Sequence, residues 1–168
     1  NPLFPIARYW RGDVEKVSAW MDRSPSLPTC PAYAPATIMY QFKSPRRYGR
    51  MDFSHTPKIR IDSLYYADDN RVEVVGEKGI LFINRCTART VDLPELMLFR
   101  DGKTTAIEVD RVEWHVSFID CTRHFIEVIK TGGDPSLDGP TGKAVLQFSL
   151  AAHLSARFGR EVRPDEVK

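Results

Sequence analysis

Residues 52–66, DFSHTPKIRIDSLYY, hold the most functional promise in this chain. His55, Lys58, Arg60, Tyr65 and Tyr66 crowd onto a segment that leaves the end of an expected strand and has no periodicity of its own. Hydrogen-bond donors beside aromatic rings suit a sugar or polyol, whose hydroxyls take hydrogen bonds and whose apolar faces stack on rings. The plainer reading is a surface loop, but long loops in compact domains tend to carry function.

Other groups that could do chemistry read as structure. Cys121 and His124 stand three apart on an expected helix, so their side chains meet. No acidic residue is in place to orient the imidazole, and a nucleophilic triad needs three placed groups. His55, His115, His124 and His153 are far apart in sequence, and no spacing marks a metal site. His153 reads as a core or boundary histidine. Gly139-Pro140-Thr141-Gly142-Lys143-Ala144 looks like a phosphate loop, but Leu137 replaces its first glycine and Ala144 its Ser or Thr. A helix start explains it better. Gly76 and Gly79 belong to a hairpin turn. No G-x-G-x-x-G occurs, so no dinucleotide-binding turn lies within these residues.

Composition narrows the class. Hydrophobic residues make up 42% and charged residues 27% of 168, enough for one globular domain with a core. A net charge of +2 gives no electrostatic grip on nucleic acid or anionic lipid. Arg46, Arg47 and Arg50 form the longest basic cluster, on a hairpin, and read as solvated. Cys30, Cys86 and Cys121 are odd in number and unpatterned, which fits reduced thiols in a cytoplasmic protein. No apolar run approaches the roughly 20 residues of a membrane helix. The chain starts at Asn1 without Met and already looks helical there, so an excerpt of a longer polypeptide is expected, with any targeting segment out of view.

Periodicity gives the scaffold around these segments. Leu3, Ile6, Ala7 and Trp10 mark one helix face over residues 2–11, with Gly12 just past its end. Val17, Ala19 and Met21 share one side of a strand over 14–22. Four prolines and two serines make residues 23–35 a loop. Strands over 36–43, with Ile38, Tyr40 and Phe42 on one face, and over 48–54 pair through Ser44-Pro45-Arg46. Residues 71–84, RVEVVGEKGILFIN, form a hairpin around Gly-Glu-Lys-Gly. Strands over 96–100 and 103–109 flank Asp101-Gly102, a two-residue turn whose positions both tolerate positive φ.

Two helices close the chain. Over 113–131, Phe118, Thr122, Phe125, Ile126 and Ile129 define a stripe expected to be buried, opposite Asp120, Arg123, Glu127 and Lys130. Over 141–158, apolar positions nearly encircle the helix, so deep burial is expected. Asp138 and Pro140 start it and Gly159 ends it. The fold class is therefore α+β: a largely antiparallel, open-faced mixed sheet of about six or seven strands with helices packed on one face. The open face needs a cover, and a partner subunit is the default.

In this order the pieces resemble one family. Glu73, Gly76, Gly79 and Leu81 match the E-x-x-G-x-x-G-x-L hairpin of the glucose–fructose oxidoreductase, inositol dehydrogenase and rhizopine-catabolism (Gfo/Idh/MocA) oxidoreductases. Residues 121–162 resemble that family's ending, in which a Gly-rich turn leads to a last helix closing in Ser-Ala-x-x-Gly-x-x-Val. Here these are Ser155, Ala156, Gly159 and Val162. The opening residues, NPLFPIARYWRGDVEKVSAWM, are similar to the helix and strand that follow a histidine-containing turn in the family. The likeness covers almost the whole chain.

The resemblance implies that residues 1–168 are one C-terminal substrate and oligomerisation domain, whose N-terminal Rossmann domain for NAD or NADP lies outside this chain. It implies hydride transfer at a hydroxyl-bearing carbon of a sugar, cyclitol or related polyol, and homo-oligomers formed through the open sheet face. The family's Glu-Lys-Pro lysine and Asp-x-x-x-His pair handle the hydroxyl proton. Neither has a counterpart here, so no catalytic, cofactor-binding or metal residue is assigned. Asn1 would neighbour the missing histidine and joins His55, Lys58, Arg60 and Tyr65 as substrate-binding candidates. Biliverdin reductase and some aldose or dimeric dihydrodiol dehydrogenases share this domain type. The competing reading is a non-enzymatic α+β module that binds a ligand or oligomerises.

Overall fold

The computed structural model describes residues 3–23, 33–54, 69–86, 90–110 and 113–168, which form two compact units. The first unit holds α1 (Leu3–Arg11), β1 (Val14–Arg23), β2 (Tyr33–Phe42), β3 (Tyr48–Phe53) and a long helix near the C-terminus. The second holds β4 (Asp69–Gly76), β5 (Gly79–Cys86), β6 (Leu96–Arg100), β7 (Lys103–Ala106) and α2 (Trp114–Thr131). The long helix of the first unit is α3 (Gly139–Phe158). The expected α+β class is present. Its seven described strands fall into two antiparallel sheets, ordered β1-β2-β3 and β4-β5-β6-β7.

In the first unit, alternation decides what is buried. The rungs Val17–Tyr40–Gly49, Ala19–Ile38–Met51 and Met21–Ala36–Phe53 face inward and meet α3. Gly49 is required because the Tyr40 ring lies across it. A Cβ there would stand 2.5 Å from the Tyr40 hydroxyl oxygen, and that ring is held edge-on by Phe42 and Phe148. Phe148, 1% exposed, is the hub, with the Phe4 ring 4.8 Å away on its other side. On α1 the buried residues are Phe4 and Ala7, with Leu3 partly buried beside them. Of the expected face of Leu3, Ile6, Ala7 and Trp10, Ala7 is buried, Leu3 and Ile6 are half-buried, and Trp10 lies exposed. The aromatic pair Phe4–Phe148 sets the rotation of this short helix more strongly than its simple periodicity does.

The burial of α3 is also narrower than its sequence suggests. Phe148, Ala151, Ala152 and Ser155 are buried, while Leu146, 58% exposed, and Leu150 lie outside. A single layer of strands covers one side of a helix, however many apolar residues encircle it.

In the second unit, the rungs Val72–Ile83–Leu96 and Val74–Leu81–Leu98 give one aliphatic sheet face, and all six side chains are only half-buried. Asn84, buried, donates from Nδ2 to the Pro94 carbonyl oxygen at 2.9 Å and so ties the 90–95 stretch to β5. Asp101 and Gly102 take φ of 52° and 74°, as the β6–β7 turn requires. The stripe of α2 departs from expectation. Phe118 is 57% and Ile129 65% exposed, and Thr122, Phe125 and Ile126 are exposed as well. Periodicity shows which face of a helix seeks cover, and among the described residues of its unit no strand packs closely along this one.

Candidate functional site

The substrate-binding candidates Asn1, His55, Lys58, Arg60 and Tyr65, and Tyr66 beside them, lie outside the described residues. In sequence, the described residues end at Ser54 before the 55–66 segment and resume at Asp69 after it. At the near end, Asp52 and Ser54 are exposed, and Phe53 turns inward against the core. Asp52 accepts the Thr37 hydroxyl at 2.9 Å and pairs with Arg50 at 3.3 Å, which fixes the last rungs of β3 to β2. At the far end, Asp69 Oδ2 accepts the Thr90 hydroxyl and lies 3.7 Å from the Arg71 guanidinium. Asp69 Oδ1 is buried with no partner among the described residues.

Within the first unit, a groove of about 490 Å³ runs between β1, the start of β2 and the last turn of α3, lined in part by Ser18, Trp20, Asp22, Thr37, Arg160 and Glu161. Trp20 is 64% exposed beside it. Its charged members are already engaged: Arg160 holds Glu166 at 2.9 Å and Glu161 holds Lys16 at 3.1 Å. The groove combines one aromatic plane with hydroxyls, which suits contact with a polar surface, and contains no nucleophile–base pair.

The Ser155-Ala156-x-x-Gly159-x-x-Val162 motif has a structural role at the edge of this groove. Ser155 Oγ accepts the Ala19 N–H at 3.0 Å and donates to the Arg160 carbonyl at 2.7 Å. Gly159, at φ 63°, ends α3 in the left-handed region. Val162 and Val17 then exchange backbone hydrogen bonds of 2.9 Å. Serine, glycine and valine thus clasp the helix end to β1. Sequence reasoning assigned Ser155 only a family match, because nothing local signals a partner 136 residues away.

The remaining motifs resolve as structure. Gly139 and Pro140 open α3, and Asp138 accepts the Thr141 N–H at 2.8 Å, so this segment is a capped helix start. Cys121 and His124 are both exposed on α2. His153 is half-buried on α3, as expected of a boundary residue. The described residues hold no group of three or more metal-ligating side chains, and no described helix is long and apolar enough to cross a membrane.

Two carboxylates of the first unit are held below their ordinary pKa values. The Thr141 hydroxyl and backbone N–H hold the Asp138 carboxyl below its ordinary value of 3.8. The Arg160 hydrogen bond, then the Arg163 N–H, hold Glu166 below 4.5. Lowered values mean that the folded state favours the charged forms. Their stabilisation is present above those ordinary values and is lost as the pH falls through the folded ones. Thermal unfolding followed below pH ~4.5 should show an acid limb that flattens in Asp138→Asn with Glu166→Gln. An unchanged limb would assign acid lability to other groups.

Comparison with known proteins places these observations. No protein-family model matches the chain. Over 102 residues, 61% of this chain, it is 30% identical to myo-inositol 2-dehydrogenase of Thermotoga maritima, and the match spans 30% of that relative. An oxidoreductase of Agrobacterium radiobacter, solved with NAD+, L-tartaric acid and magnesium, superposes with a TM-score of 0.73 at 19% identity, covering 98% of this chain and 47% of its own. A probable dehydrogenase of Thermotoga maritima gives a TM-score of 0.69 at 26% identity, with the same coverage of 98% and 47%. The chain thus spans less than half the length of these relatives. Sequence and fold likeness together show the resemblance to the Gfo/Idh/MocA-type oxidoreductases that the residue 71–84 hairpin and the two closing helices carry.

Proposed function

We propose that residues 1–168 are the C-terminal substrate and oligomerisation domain of an NAD- or NADP-dependent oxidoreductase. In this reading the enzyme moves a hydride at a hydroxyl-bearing carbon of a sugar, cyclitol or related polyol. Asn1, His55, Lys58, Arg60 and Tyr65 contribute to the substrate wall, while the cofactor and the proton-handling groups belong to an N-terminal domain outside this chain. What supports it is a likeness that takes in nearly the whole chain and about half of an oxidoreductase seen with NAD+. The unpatterned cysteines fit a cytoplasmic setting.

The test has two arms. The full polypeptide, assayed for nicotinamide reduction against a panel of cyclitols, aldoses and sugar acids, should turn over at least one of them. The 168-residue chain should give no heat of binding with NAD+, NADH, NADP+ or NADPH. Micromolar binding by this chain would overturn the division of labour, and a gene without a nucleotide-binding domain would favour the non-enzymatic module.

Oligomers form, in this reading, through an open sheet face. The outward rungs of β1–β3, Trp20–Thr37–Asp52, Ser18–Met39–Arg50 and Lys16–Gln41–Tyr48, leave Trp20, Met39 and Tyr48 exposed on one surface. Trp20→Asp with Met39→Lys should convert the assembly to monomer in light scattering, with the far-ultraviolet circular dichroism unchanged. A wild-type protein that is already monomeric at high concentration would sink the idea.

A further inference from the structure

We draw no further inference here: the strongest candidate, the exposed apolar stripe of α2 formed by Phe118, Ile119, Phe125, Ile126 and Ile129, carries nothing because nothing in the structure shows what covers it.

Discussion

Phe148→Ala is expected to lower the unfolding free energy by about 3–5 kcal/mol, the usual cost of removing a buried phenylalanine and leaving its cavity. The site gives little room for collapse. Phe148 sits edge-on between Phe4 and Tyr40, on a helix whose buried neighbours are the small Ala151 and Ala152. Tyr40 in turn covers Gly49, so the ring that could move into the hole also fills space over β3. Leu146→Ala, two positions away but exposed, should stay within about 0.5 kcal/mol of wild type. Urea unfolding of both variants checks the contrast: the midpoint should fall for Phe148→Ala with an unchanged slope. Equal effects at the two positions would mean that α3 is buried all round, as its sequence alone suggests.

Gly79→Ala should cost about 1–3 kcal/mol, as overpacking does, whereas Gly76→Ala should be nearly silent. These two glycines look equivalent in the E-x-x-G-x-x-G pattern. Neither takes positive φ, so turn conformation does not distinguish them. Space does. A Cβ on Gly79 would run into the carbonyl oxygen of Phe99, a backbone atom in the next strand that cannot swing aside. A Cβ on Gly76 meets nothing nearer than the Gly79 carbonyl oxygen at 3.5 Å, an ordinary contact. Because Ile80 pairs with Phe99, displacing that carbonyl pulls on the first rung of the β5–β6 ladder. Amide hydrogen exchange should accelerate along 80–83 and 96–99 in Gly79→Ala only. A silent Gly79→Ala would show that the two strands stand further apart than described.

Much of this architecture is written locally. Alternation set the inward faces of β1 and β2, where Val17, Ala19, Ile38 and Phe42 are buried. Asp101-Gly102 set the β6–β7 turn, and Asp138, Pro140 and Gly159 set the ends of α3. These signals involve residues within a few positions of one another, where steric and hydrogen-bonding preferences act directly. The candidate site was legible only as a composition, the donors and rings of residues 52–66, because a binding site needs distances between segments.

Element order, the α+β class and the resemblance to an oxidoreductase family are legible in the chain alone, since each rests on spacing along it. Packing in three dimensions settles which apolar faces are covered. It buries one side of α3 and leaves Leu146 and the α2 stripe exposed, because burial depends on what a neighbouring layer can reach. It also decided why the motif residues are what they are: Gly79 by the closeness of a backbone three positions past the start of β6, Ser155 by the Ala19 N–H on β1 that its hydroxyl accepts. Both reasons are contacts across long stretches of chain, and a linear pattern records their result without their cause.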